Sequence, residues 1–132
     1  MLKSEVHQTL LNSEIDCLRK LARSTNIIEL YEVYNTKNNT YIITELCENG
    51  DLSKMIQKKK MSESAVLPIA TQLVAGYLDI YRRGILHRDL KPANIFMRGD
   101  VLKIADFGFA VKLEDVKKNS NYNVGSPLYM PP

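Results

Sequence analysis

The chain has 132 residues, 45% of them apolar and 25% charged, which leaves room for one modest hydrophobic core and excludes a collagen-like or disordered polymer. Its net charge of +3 is scattered from Lys3, Arg19 and Lys20 to Lys117 and Lys118, so no basic segment offers a nucleic-acid surface, and the Lys58-Lys59-Lys60 run reads as a solvated helix end. Cys17 and Cys47 lack CxxC spacing, and no apolar run approaches the roughly 20 residues of a membrane-spanning helix, so a soluble, cytoplasmic product without a transmembrane segment is expected.

From Val6 to Leu21 the residues Leu10, Leu11, Ile15, Leu18 and Leu21 recur at intervals of three and four, which predicts a helix with one buried stripe and Glu14 on its flank. β-Branched and aromatic residues then fill Ile27 to Tyr34 and Thr40 to Leu46, on either side of the polar Asn35-Thr36-Lys37-Asn38-Asn39. This is a hairpin pattern, and its Asn pair suits φ values that most residues avoid. After Glu48-Asn49-Gly50, Asp51 is placed to cap a short helix running toward Lys58. A longer helix follows Ser62, carried by Val66, Ile69, Leu73, Tyr77 and Ile80 or Tyr81 as far as Gly84. Pro68 costs such a helix up to about 3 kcal/mol or kinks it, so the regular helix starts either at Ser62 or nearer Pro68. Beyond Gly84, Ile85-Leu86 leads into a polar loop, a short strand at Ile95-Phe96-Met97, a turn at Arg98-Gly99-Asp100 and a strand over Val101 to Ala105. Val111 to Asn123 is polar and aperiodic and reads as a mobile loop.

Chemistry concentrates in His87-Arg88-Asp89-Leu90-Lys91-Pro92-Ala93-Asn94 and in Asp106-Phe107-Gly108, which begins seventeen positions after Asp89. Phosphoryl transfer requires that anionic oxygens be held and neutralised while a hydroxyl is aimed at phosphorus, so it calls for metal-binding oxygens, a cation and a carboxylate near the nucleophile. Asp106 and Asn94 offer the hard oxygen ligands that Mg²⁺ prefers. Asp89 is placed to orient an acceptor hydroxyl and receive its proton, and Lys91 to offset charge on the transferring phosphate. A lone Asp-Phe-Gly carries little information, but two motifs at this separation with strand patterns between them carry much more.

Together these strings resemble the catalytic and metal-binding loops of eukaryotic protein kinases, in the arrangement HRDLKPxN, short hairpin, DFG. The resemblance implies an α+β chain forming part of a two-lobe fold. Residues 1–46 would be a partial N-lobe (helix C and the hairpin of strands 4 and 5), 47–50 the hinge, and 51–132 the first half of the C-terminal lobe with catalytic loop and activation segment. It implies ATP and Mg²⁺ as cofactors, with catalytic roles for Asp89, Lys91 and Asn94 and metal ligation by Asn94 and Asp106. Glu14 resembles the helix-C glutamate that pairs with an ATP-contacting lysine, the alternative being an exposed helix-face carboxylate. TYIITELCENGDL resembles the strand, gatekeeper and hinge. Thr44 would be a small gatekeeper, Glu45 and Cys47 would present backbone carbonyl and amide groups to adenine, and Phe96 would form the apolar floor, while Cys47 otherwise reads as core packing.

Leu18, Leu30, His87 and Phe107 match residues whose stacked side chains link the two kinase lobes, which gives His87 a packing role. Arg88 resembles the arginine that meets a phosphorylated activation loop. Gly125 to Pro132 is similar to the substrate-receiving GTPxYMAPE segment, with Ser126 at the Ser or Thr position beside the catalytic aspartate and lysine. Lys91, with no alanine-arginine insertion, resembles the pattern for a Ser or Thr acceptor on a protein substrate rather than Tyr. Ser120 and Tyr122 are candidate phosphoacceptors, Ser120 preferred, and no residue pattern names a regulatory partner. At subfamily level, KIADFGFA and GSPLYM look most like the autophagy-initiating kinases.

The resemblance covers nearly the whole chain but less than a whole kinase domain. Gly50 is the first glycine, so no G-x-G-x-x-G loop precedes helix C, and Lys3 stands too close to that helix to be the strand-three lysine. Pro131 departs from the Ala-Pro-Glu continuation. The expectation is a chain truncated at both ends and inactive by itself, from a parent that phosphorylates Ser or Thr on proteins; the alternative is a non-catalytic, pseudokinase-like interaction module. An unpaired hairpin edge and exposed apolar faces on the Ser62 to Gly84 helix would follow. The reading also requires Asp89 and Asp106 to face one shared pocket.

Overall fold

The structure, a computed structural model, describes residues 3–58, 60–116 and 124–130, with side chains from Gln8 onward. Lys59, Lys117, Lys118, Ser120, Tyr122, Pro131 and Pro132, and the side chains of Lys3 and Val6, lie outside the described residues. Helix α1 runs Lys3–Lys20, with Arg19 and Lys20 in the last turn where positive charge complements the helix dipole. Its stripe is buried only in the C-terminal half, at Ile15, Cys17 and Leu18, with Leu21 following. Leu10, expected inside, is 48% exposed because the first turns of α1 extend past the core.

Strands β1 (Leu30–Asn35) and β2 (Thr40–Thr44) pair antiparallel, with Asn35 opposite Thr40 and Tyr34 opposite Tyr41. The hairpin is shorter than its β-branched pattern. Ile27 is drawn away to bridge Ile104, Ile28 N donates to Ile104 O at 2.9 Å, and Leu46 leaves the strand to stand 78% exposed. The turn does not use left-handed asparagines: among the described non-glycine residues only Arg23, Arg88 and Asp106 have positive φ. Thr36 closes it instead, its amide and hydroxyl donating to Asn39 O at 2.8 and 3.0 Å while its hydroxyl accepts from Asn39 N.

Helix α2 (Leu52–Lys58) starts from the expected cap, with Lys54 N donating to Asp51 Oδ1 at 2.9 Å. Helix α3 spans Glu63–Arg82 and so begins at Ser62, with Pro68 inside it. Pro68 is tolerated because the carbonyl it leaves without a helical donor belongs to exposed Ser64, while the far end of the helix is anchored by buried Gly76 and Ile80. Strand β3 (Ile85–Leu86) pairs antiparallel with β6 (Val111–Lys112), and β4 (Ile95–Arg98) with β5 (Val101–Ile104). Of the loop expected over Val111 to Asn123, the described residues form β6 and a one-turn helix at Leu113–Val116; two strand residues show no periodicity, and their pairing partner lies a polar loop and a hairpin away. A 3₁₀ turn covers Pro92–Asn94, helix α4 Leu113–Val116, and a second 3₁₀ turn Pro127–Tyr129.

The mixed α+β class is as expected. Its core forms where α1, α3 and the β4–β5 hairpin meet, around Leu18, Leu21, Ile80, Leu102, Ile104 and Phe107. Helix α3 passes so close to β5 that a Cβ at Gly76 would lie 2.9 Å from Ile104 Cδ1 and 3.0 Å from Asn26 O. The opposite face of α3 exposes Leu67, Val74 and Tyr81, and the hairpin exposes Tyr31, Tyr34 and Tyr41. Among the described residues, no helix is long and apolar enough to cross a membrane.

Candidate active site

The loop between β3 and the 3₁₀ turn at Pro92 gathers the titratable groups. Its path reverses at Arg88, whose φ of +66° puts a bulky residue in the left-handed region. Opposite this bend lies Gly125, with φ +108° and room for no side chain, since a Cβ there would fall 2.3 Å from Arg88 O. That close approach brings Ser126 to the loop. Arg88 Nε donates to Phe109 O at 2.7 Å, which ties the bend to the segment following Phe107.

His87 is buried, with Nε2 3.0 Å from Ala105 O and Nδ1 3.3 Å from the Asp89 amide. The amide can only donate, so Nδ1 accepts and Nε2 carries the proton. Burial pushes His87 below its ordinary range against the pull of Ala105 O, Asp106 and Asp89, and keeps the ring neutral. Its ring packs on Phe107 with centroids 4.8 Å apart. Both nitrogens are engaged in holding the loop.

Asp89 is 3% exposed. Its Oδ2 accepts from Lys91 Nζ at 2.8 Å and Asn94 Nδ2 at 3.0 Å, and Asn94 Nδ2 also reaches Asp89 O at 3.0 Å. Oδ1 is buried and has no hydrogen-bond partner among the described residues. Burial opposes the charge on Asp89, but the Lys91 ammonium, the Ser126 hydroxyl and the Asn94 amide outweigh it and hold the carboxyl below its usual range. Lys91 Nζ also donates to Ser126 Oγ at 2.9 Å, bridging the two segments.

Asn94 O accepts from Ala105 N at 2.9 Å, which ties this group to the residue preceding Asp106. Asp106 is exposed, takes φ +64°, and accepts from Gly108 N at 3.4 Å. Glu14 approaches from α1: a Cβ on Gly108 would lie 3.3 Å from Asp106 Oδ1 and 4.0 Å from Glu14 Oε2. Burial and then the Asp106 carboxylate push Glu14 above the usual range, so it is a half-buried group facing the site rather than a solvated helix-face carboxylate.

A cavity of about 500 Å³ is walled by His87, Arg88, Asp89, Ser126, Tyr129 and Tyr77 of α3, among others, but not by Asn94 or Asp106. The shared pocket expected of Asp89 and Asp106 is therefore not this cavity, which Asp89 lines and Asp106 does not. Among the described residues, no group of three His, Cys, Asp or Glu side chains is placed to hold a metal ion.

Thr44, the last residue of β2, and Cys47, between β2 and α2, are half-buried, and Cys47 lies outside the core cluster. The Glu45 amide is occupied by Glu29 O at 3.0 Å and its carbonyl accepts a long 3.4 Å bond from the Thr44 hydroxyl, whereas the Cys47 amide has no hydrogen bond to the described residues. Phe96, on β4, bridges Asp51 at the start of α2. The Glu45 side chain makes ion pairs with Arg98 and Lys103, both at 2.8 Å. Neither partner had been singled out, although a lysine between Leu102 and Ile104 in an apolar strand was a visible signal.

A buried carboxylate held by lysine and asparagine, with that asparagine bonded to the residue before an exposed aspartate, is the polar centre of this α+β frame. The chain belongs to the protein kinase domain family, whose sequence pattern matches residues 2–132. It is 44% identical to the serine/threonine-protein kinase atg1 of Dictyostelium discoideum over 92% of this chain and 19% of that protein. It is 37% identical to the serine/threonine-protein kinase Nek2 of Homo sapiens, over 98% of this chain and 32% of that protein. To the probable serine/threonine-protein kinase CCRP1 of Zea mays it is also 37% identical, over 100% of this chain and 21% of that protein. The chain thus spans about a third or less of the length of these relatives.

Proposed function

We propose that the protein bearing this chain transfers the γ-phosphoryl group of Mg-ATP to Ser or Thr hydroxyls of a protein substrate. The observation that carries this reading is Asp89: a buried carboxylate kept ionised by Lys91 and Asn94, with one oxygen that has no hydrogen-bond partner among the described residues. That oxygen accepts the hydrogen bond of the acceptor hydroxyl, orients it toward phosphorus and receives its proton as the new O–P bond forms and the bond from the γ-phosphorus to the bridging oxygen breaks, releasing ADP. Because the Asp89 pKa is depressed, orientation precedes proton transfer, which is completed only as the hydroxyl oxygen gives up electron density to phosphorus. Lys91 shares its ammonium between Asp89 and Ser126 and offsets charge on the transferring group.

The donor set fits a magnesium ion. Asn94 commits its amide nitrogen to Asp89 and keeps its amide oxygen for a cation, and Asp106 supplies an exposed carboxylate. Two hard oxygens suffice for a metal that retains several waters, and the ion would neutralise phosphate oxygens. The convergence of Glu14 and Asp106 makes the region favour a cation. Adenine is assigned to the Glu45 carbonyl and Cys47 amide, with Thr44 leaving space behind the ring and Phe96 beneath it.

In this reading residues 1–46 are part of an N-terminal lobe, 47–50 the hinge, and 51–132 the first half of the C-terminal lobe. The 44% identity to atg1, with KIADFGFA and GSPLYM, supports the finer assignment to the autophagy-initiating kinases, and two free cysteines fit cytoplasmic work. The test is Mg²⁺-dependent transfer of labelled γ-phosphate to protein by the full-length protein. Asp106→Ala is expected to reduce transfer to background. Wild-type transfer by that variant refutes the metal role, and a wild-type protein that binds partner proteins but transfers nothing favours a non-catalytic interaction module.

A further inference from the structure

Beneath the segment assigned to adenine lies a buried ion cluster that phosphoryl transfer does not use. Glu45 Oε1 accepts from Lys103 Nζ and Glu29 N, each at 2.8 Å, and Oε2 accepts from Arg98 Nη1 at 2.8 Å. The Glu45 side chain is 0% exposed and that of Lys103 11%, while Arg98 is 50% exposed. Lys103 stands directly opposite Phe96 in the β4–β5 register, and Arg98 follows Phe96 by two residues, so all three occupy one face of that hairpin.

A buried ion pair is a weak source of stability, because desolvating both charges cancels much of their attraction and apolar replacements do as well. Its distinctive property is geometric. Three donors from three segments (the approach to β1, β4 and β5) hold one carboxylate. The far end of the same stretch is stapled independently, by Asn49 N to Met97 O at 3.2 Å, Met97 N to Gly50 O at 3.0 Å and Gly99 N to Asn49 Oδ1 at 2.7 Å. The span containing Cys47 is therefore clamped at both ends against the hairpin that carries Phe96.

We propose that Lys103 and Arg98 are positioning residues: through Glu45 they fix the height of the 45–47 backbone above Phe96 and so set the affinity for the nucleotide base. This rests on the hinge assignment given under Proposed function. The strand bearing Lys103 is itself fixed, since Asn26 Nδ2 donates to Leu102 O at 3.0 Å and Leu102 N donates to Gln72 Oε1 of α3 at 2.9 Å. Relaxation after losing a cation consequently falls on the 45–47 segment.

The full-length protein tests this by direct titration with Mg-ATP and by steady-state transfer kinetics. Lys103→Met is expected to raise Kd and KM for ATP about tenfold with kcat within about twofold. Lys103→Arg, which keeps the charge, is expected to restore most of the affinity. Arg98→Met, at a half-exposed position where folding is not at stake, is expected to raise both constants about threefold. Lys103→Met binding ATP as tightly as the parent, with only a lowered melting temperature, overturns the proposal; if that chain does not fold, unchanged binding by Arg98→Met does so. A wild-type protein that binds no ATP removes the kinase reading and this proposal together, whereas normal wild-type binding with unaffected variants removes this proposal alone.

Discussion

His87, Asp89 and Glu45 are three buried ionisable side chains, the first held neutral by its burial and the other two held ionised by their partners, and all three make stability fall with acid. Burial depresses the folded pKa of His87 below its ordinary 6.5, so the unfolded chain takes up the proton first as pH drops. Asp89 and Glu45 are depressed from 3.8 and 4.5, against their own burial, by Lys91 and by Lys103 with Arg98 respectively. Their contribution is present above those unfolded values and is lost as pH falls through the folded ones. Melting temperature should therefore decline in two limbs, one beginning near pH 6.5 and one below about pH 4.5. Thermal melts across pH check this, and His87→Gln should erase the upper limb; a profile flat from pH 7 to 5 would show that His87 is not held neutral. The sequence revealed His87 and Asp89 through their motif, and the resemblance named Glu45 for its backbone. The Glu45 side-chain role was hidden because Lys103 and Arg98 meet it only after the β4–β5 hairpin folds beneath it.

Elements were legible wherever their signal was local. The helical spacing of Ile15, Leu18 and Leu21, the β-branched and aromatic run over Thr40–Thr44 and the cap at Asp51 each stand within a few residues of what they determine. Signals failed where a distant partner decided the outcome: Ile27 and Ile28 abandon their strand for Ile104, and β6 exists only because Ile85–Leu86 is beside it. The same dependence makes α3 against β5 the contact most sensitive to volume. Gly76→Ala places a methyl group within 3 Å of Ile104 and of the Asn26 backbone, and should cost about 1–3 kcal/mol through overpacking. Denaturant unfolding should show a lower midpoint at unchanged slope. A neutral Gly76→Ala would mean that α3 and β5 sit farther apart than described.

At the scale of the whole molecule, α1 contributes Glu14, the β4–β5 hairpin joins Asn94 to Asp106, and the Gly125 approach adds Ser126 to Lys91. Each contact spans separate parts of the sequence, and together they set one ammonium, one hydroxyl and one side-chain amide around Asp89 while leaving Glu14 and Asp106 mutually repelling. Under the proposed function that imbalance suits a metal-bound polyphosphate: negative oxygens for the metal, and an ionised base whose second oxygen has no partner among the described residues. The most direct measurement compares Mg-ATP binding and γ-phosphate transfer in the full-length protein and its Asp89→Asn variant. The account predicts a Kd for ATP within about threefold of wild type and turnover lower by about 10²–10⁴-fold. Equal turnover in the two proteins, at matched folding and nucleotide binding, would contradict it.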